Sequence, residues 1–260
     1  MSGTALEARG ITLRREGRNL VDGVSFAVPR GAFVSIIGPN GAGKSTLLRV
    51  LCGLLPADAG EVLLGDTPLR QQSRRAIAHR IAYVPQTPPH GIPFSVGEFV
   101  AMARYVHNSR IGALDAAGVA AVAEALELTE CTALRDRVMY TLSGGEARKV
   151  HLAAALAQGG DILLLDEPTT HLDYRHQREV VRLLQQAHAA RGLTIVAVQH
   201  DLNQGVLTSD VVLALKDGMV SFNGAPSALL ESGALETLFD TPFAVLALPG
   251  GATHVAARHD

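Results

Sequence analysis

The sequence predicts an α/β fold: a largely parallel sheet flanked by helices, with an antiparallel β subdomain and an inserted α-helical lobe. Three observations predict it. An apolar strand, Phe33-Val-Ser-Ile-Ile37, runs into a glycine-rich turn and then into the helix-like run Thr46–Leu51. Strand and helix patterns alternate again from Glu146 to Val198, as a parallel sheet requires. Between Pro88 and about Tyr140 the texture changes to Ala, Val, Leu and Glu at helical spacing, behind the breaker Pro88-Pro89-His90-Gly91.

The elements follow in order. Ala5–Leu13, Gly23–Val28 and Phe33–Ile37 read as strands, and the alternation in Val24-Ser25-Phe26-Ala27-Val28 gives the second one wet face. Gly60–Gly65 is a further strand with turn signals at both ends. After the helical lobe come a helix at Glu146–Leu156, a strand at Asp161–Leu165, a helix at Gln177–Ala189 and a strand at Thr194–Val198. Val211–Leu215 and Met219–Phe222 form a hairpin around Lys216-Asp217-Gly218. The stretch from Pro226 onward, with Pro242 and Pro249, carries no readable motif.

Composition narrows the class. The 260 residues contain 4% aromatics and no Trp, so aliphatic residues and Ala must fill the core. A formal net charge of -2 gives no basic excess for a nucleic-acid footprint. Cys52 and Cys131 show neither a disulfide framework nor metal spacing, which suits a reducing compartment. Glu7 and Arg9 precede any apolar run, so no signal peptide is expected. No apolar run approaches the roughly 20 residues that span a bilayer. The one around Leu152–Leu165 is broken by Gln158, Gly159, Gly160 and Asp161.

Gly38-Pro39-Asn40-Gly41-Ala42-Gly43-Lys44-Ser45 fits the phosphate-loop pattern of P-loop NTPases, between a strand and a helix that opens through Thr46. Glycines let backbone N–H groups turn toward phosphate oxygens, and the helix N-terminus adds its positive end. Lys44 is expected to reach the β- and γ-phosphates of a nucleoside triphosphate, and Ser45 to ligate Mg²⁺. The apolar strand Ile162–Leu165 ends in Asp166-Glu167. Adjacent buried acids are costly without a cation, so Asp166 is expected to hold the metal and Glu167 to polarise an attacking water. Ser143-Gly144-Gly145-Glu146 opens a second helix: a second anion site, an ordinary capping box, or both.

Leu142-Ser143-Gly144-Gly145-Glu146, set between that loop and that strand, resembles the nucleotide-binding subunit of an ATP-binding cassette (ABC) transporter, over about Leu6 to Gly224. The resemblance implies a RecA-like core in 1–87 and 141–225, a helical lobe in 88–140 and a C-terminal extension in 226–260, within one ABC ATPase domain. It implies that Gln86 contacts Mg²⁺ or water and senses the γ-phosphate, that His200 contacts that phosphate, and that Asp173 lies at a dimer interface. Ser143, Gly144 and Gly145 would complete the ATP site of a second copy, with Glu146 beside them. Arg15 falls where the family carries an adenine-stacking aromatic, and its guanidinium plane could take that place. The implied partners are a second copy, multi-span permease subunits and, indirectly, a substrate-binding protein, at the cytoplasmic face of a bacterial membrane. Ala103-Arg104-Tyr105-Val106-His107, Thr169–Asp173 and His200–Gln204 resemble the iron-chelate, haem and cobalamin importers. Zinc or manganese importers and efflux pumps stay open as alternatives. A soluble ABC-type ATPase would carry a long coiled coil or a second cassette, and a small-molecule kinase has no use for Leu142–Glu146.

Overall fold

The computed structural model describes residues 3–87, 91–107, 114–203, 209–247 and 253–258. Pro88, Pro89, His90, Gln204 and Pro249, which entered the sequence reading, lie outside the described residues. The chain divides into two compact units, one formed by residues up to 71 together with 194 onward, the other by 72–193. The segment 88–140, expected as a lobe, falls in the second of these units, together with 72–87 and 141–193.

The first unit opens with β1 (Thr4–Arg15) and β2 (Arg18–Pro29), longer than their apolar cores suggested. They pair antiparallel, and β1 also pairs with β4 (Ala59–Leu64), which adds the short β5 (Thr67–Pro68) at the edge. Between them β3 (Phe33–Ile37) is buried at every residue, which explains its unbroken apolar run. It leads through the glycine-rich turn into α1 (Lys44–Leu51).

The second unit begins with α2 (Arg74–Arg80) and β6 (Ile81–Val84), a strand too short to have shown a period in the sequence. α3 (Val96–Met102) starts at a capping box of Ser95 and Glu98, and α4 (Ala116–Leu128) starts at Asp115. Both pack on α5 (Gly144–Gln158), whose Val150, Leu152, Ala153 and Leu156 are buried. Next come β7 (Ile162–Asp166), parallel to β6, and α6 (Tyr174–Arg191), which ends at Gly192 in the left-handed conformation.

The chain re-enters the first unit with β8 (Thr194–Val198), β9 (Val211–Lys216) and β10 (Met219–Gly224). Their strand order with β3 is β10-β9-β3-β8; β8 and β9 run parallel to β3, and β10 is antiparallel to β9. The C-terminal stretch, unreadable as sequence, forms α7 (Pro226–Glu231), α8 (Ala234–Phe239) and the antiparallel pair β11 (Phe243–Ala247) and β12 (Thr253–Ala257). Leu229, Leu235, Leu238 and Val255 pack there against Ile37, Val212 and Ala214. Among the described residues no helix is long and apolar enough to cross a membrane.

Parallel strands place their carboxyl ends at one edge, where α/β folds bind ligands. In the first unit that edge carries Gly38 after β3 and His200 after β8. Gly38 is fixed there by its backbone: its φ is 146°, and a Cβ would sit 2.1 Å from the Leu215 carbonyl oxygen. Gly38→Ala is therefore expected to cost about 2 kcal/mol or more. Urea unfolding without nucleotide reads this directly, and an unchanged midpoint would contradict the placement.

Candidate nucleotide site

The first unit builds the phosphate loop from backbone constraints. Gly41 and Gly43 have φ of 82° and 91°, and a Cβ on Gly43 would meet the Leu20 carbonyl oxygen at 2.1 Å. Pro39 accepts a turn hydrogen bond from the Ala42 N–H at 3.2 Å, and Ala42 is buried, while Asn40 and Gly41 are exposed. α1 opens immediately after, so the loop feeds a helix N-terminus, with Ser45 and Thr46 half-buried in its first turn. Lys44 is 5% exposed and donates to the Gly38 and Pro39 carbonyls at 2.8 and 2.9 Å. Those carbonyl dipoles hold the ammonium inside the loop, and a phosphate offers the same ammonium a charge-assisted partner.

His200 leaves the neighbouring strand at the same edge and is exposed. Gln199 before it is buried, donating through Nε2 to Ser35 Oγ at 3.3 Å and through its amide to the Ile36 carbonyl at 3.0 Å. Arg15 stands at the end of β1, its guanidinium 3.8 Å from Asp58 and donating to the Arg14 carbonyl at 2.6 Å.

The second unit brings Gln86, Asp166 and Glu167 together at the carboxyl ends of β6 and β7, where Val84 is in register with Leu165. Gln86 Nε2 donates to Glu167 Oε2, and Thr170 Oγ1 donates to the same oxygen at 3.0 Å. Tyr83 donates its hydroxyl to Asp166 Oδ2 at 3.3 Å. Asp166 is 0% and Glu167 7% exposed, and Glu167 has a φ of 49°. A non-glycine residue in that conformation stores strain of the kind found at functional sites.

Arg148, buried on α5, donates to the Pro85 carbonyl at 2.9 Å, the Gln86 carbonyl at 2.7 Å and the Glu167 carbonyl at 3.4 Å. Burial pushes its guanidinium pKa down, opposed by the charges of Asp166 and Glu167. Its guanidinium bonds three backbone carbonyls beside two buried carboxylates at a strand end, a donor set that suits a divalent cation. Sequence reasoning gave Arg148 no role. The missed signal was its place one and two turns before Leu152 and Ala155, on one helix face.

Ser143 caps α5: its Oγ accepts from the Glu146 N–H at 3.3 Å, and Glu146 Oε2 accepts from the Ser143 N–H at 2.8 Å. Glu146 also pairs with Arg137 at 2.9 Å. The Ser143 amide is the largest cause that holds its carboxyl below the usual range. The carboxylate of Glu146, expected beside the nucleotide, is thus engaged in the cap. A Cβ on Gly145 would lie 2.5 Å from His176 Cδ2, whereas one on Gly144 would meet nothing within 4 Å. Asp173 caps α6 at the His176 amide (2.9 Å) and pairs with His176 Nδ1 at 2.8 Å. The His176 ring, another group the sequence did not reveal, lies between Asp173 and the start of α5.

The ABC transporter family model matches residues 21–170, more than half of the chain. The chain belongs to the ABC transporter ATPases. As a member of that family it binds and hydrolyses ATP. It is 43% identical over 252 residues to the hemin import ATP-binding protein HmuV of Nocardia farcinica, covering 94% of this chain and 85% of that one. It is 35% identical over 243 residues to the iron(3+)-hydroxamate import ATP-binding protein FhuC of Bacillus subtilis, covering 94% and 90%. Among solved structures it is similar to a metal-chelate type ABC transporter in an inward-facing conformation, with TM-score 0.85, 27% identity and coverage of 99% and 98%. It is also similar to a dimeric ATP-binding cassette bound to ADP and Pi, with TM-score 0.74, 26% identity and coverage of 85% and 98%. This ABC ATPase thus carries a P-loop NTPase fold, as the sequence predicted.

Replacing Arg148 by Met keeps the stem but strands three carbonyls. We expect this ABC ATPase to lose about 2–4 kcal/mol of stability and to turn over more slowly, because Gln86 loses its backbone anchor. Chemical denaturation and steady-state hydrolysis check both, and a stable, fully active variant would contradict the clamp.

Proposed function

We propose that this protein is the ATP-hydrolysing subunit of a bacterial ABC importer that takes up an iron chelate, haem or cobalamin. The observation that carries the two-copy arrangement is Gly144. A methyl there meets nothing within 4 Å in this chain, so its own fold does not require glycine. A second copy whose phosphate loop brings ATP against Ser143, Gly144 and Gly145 supplies the reason, since close approach of a ligand demands a missing side chain. The homodimer would then hold two nucleotides, each between Lys44 of one copy and Ser143 of the other.

Within each copy the loop residues Gly38–Thr46 cradle the phosphates, and the Arg15 guanidinium plane, held near Asp58, faces adenine. Ser45, Asp166 and Gln86 are the residues that would hold Mg²⁺, which supplies charge neutralisation for the phosphates. Glu167, aligned by Gln86 and Thr170, accepts the proton of the water that attacks the γ-phosphorus. The bond to the β-phosphate oxygen breaks, giving ADP and phosphate. His200 contacts the γ-phosphate, and Asp173, on the cap of α6, lies at the dimer interface. Permease subunits with many spans, docked at a membrane's cytoplasmic face, convert dimer closure into movement, and a substrate-binding protein delivers cargo.

Import and cargo class are supported by kinship. The relatives named for hemin and iron(3+)-hydroxamate import are 43% and 35% identical over 94% of this chain.

Glu167→Gln is expected to retain ATP binding, lose roughly 10²- to 10⁴-fold in turnover and persist as a dimer with ATP in size-exclusion chromatography. Hydrolysis at the wild-type rate would sink the assignment. Gene deletion is expected to impair growth on a chelate, haem or cobalamin as sole source of its nutrient, and to spare growth on ferrous salts. A defect confined to zinc or manganese starvation would move the protein to the metal-ion importers.

A further inference from the structure

One side chain ties the C-terminal extension to the stretch that follows His200. Asn203 Oδ1 accepts from the Val255 N–H at 2.7 Å, and Asn203 Nδ2 donates to the Val255 carbonyl at 3.1 Å. A primary amide presents an acceptor and a donor side by side, as a peptide group does. Asn203 therefore closes the outer edge of β12 as one residue of a further strand would. Val255 pairs with Val245 on its other side and is 5% exposed, inside the cluster that includes Ile37, Leu229 and Leu238. Ile37 is the residue before the phosphate loop.

Two more contacts hold the same stretch. The Asp201 carboxylate accepts from the Asn203 N–H at 2.9 Å, and Leu202 packs on the Val255 cluster. Exposed His200 is thus followed by a segment with three anchors, two of which reach the C-terminal extension. The extension has its own seat. Glu236 of α8 accepts from the Phe243 N–H at 3.3 Å and from Arg258 at 3.4 Å. A two-stranded pair is marginal alone, so this seating gives β11 and β12 their fixed position.

We propose that Asn203 is a positioning residue for His200, acting through the C-terminal pair β11 and β12. The inference rests on the reading that His200 acts at the γ-phosphate. Phosphate binding is made at the loop and does not need the staple. Alignment of His200 does, and a small misplacement of a positioned group costs rate rather than affinity.

The test measures hydrolysis by the full-length protein. Asn203→Ala is expected to lower kcat about 10-fold or more while the KM for ATP stays within about twofold. Val255→Pro removes the outward N–H at an edge position that tolerates proline. It is expected to reproduce the effect, and the double variant is expected to be no slower than the slower single one. If Asn203→Ala does not fold, Asn203→Asp, which keeps the acceptor and loses the donor, takes its place with the same expectation. A kcat within about twofold of wild type, a parallel loss of ATP affinity, or losses that multiply in the double variant would each overturn the proposal. His200→Ala separates the two layers. If it leaves kcat unchanged, the reading of His200 fails. If it stops turnover while Asn203→Ala does not, only the positioning role fails.

Discussion

Two adjacent carboxylates buried at the end of one strand are the constraint around which the second unit is organised. Asp166 and Glu167 are almost wholly removed from water, where an unpaired charge costs several kcal/mol even after relaxation. The chain answers with Tyr83 on Asp166, with Gln86 and Thr170 on Glu167, and with the buried cation of Arg148 nearby. Arg148 donates to the Pro85, Gln86 and Glu167 carbonyls, so α5 is stapled to both strand ends. Because Ser143 caps α5, the same helix carries the segment that meets a second copy's nucleotide in the proposed dimer.

The first unit carries the complementary problem, a buried cation. Lys44 donates to two carbonyls of its own loop, which help to solvate the buried ammonium. A phosphate offers the same ammonium a charge-assisted partner, on a loop where a Cβ at Gly38 or Gly43 would meet a backbone carbonyl oxygen at 2.1 Å. Alignment of the reacting groups depends on the side-chain contacts around it.

Most of the fold was legible because its signals are local. The phosphate loop, the buried strand at Phe33–Ile37 and the acidic end of β7 follow from residue order alone. Helix ends shifted outward where caps operate: α5 starts at Gly144 because Ser143 caps it, and α6 starts at Tyr174 because Asp173 does. What stayed hidden was non-local. Nothing around Arg148 announces that its hydrogens reach carbonyls more than sixty positions earlier, at Pro85 and Gln86. The stretch after Pro226 had no motif because its helices are short and its one strand pair is seated by non-local contacts, among them packing on Ile37, Val212 and Ala214 and the bonds of Asn203 to Val255. Glu146 shows the opposite case. Its capping role was visible in the spacing from Ser143, and the geometry places its carboxylate there.

The central claim is that each copy contributes two different half-sites and that neither half works alone. It is tested most directly by mixing Lys44→Ala with Ser143→Arg subunits and photo-crosslinking an ATP analogue. The first variant cannot cradle phosphates, and the second binds ATP but spoils its neighbour's site. The account predicts one intact composite site per mixed dimer, with the analogue bound at Lys44 of one subunit and its label on residues around Gly144 of the other. Label confined to the Lys44-bearing subunit would contradict the account.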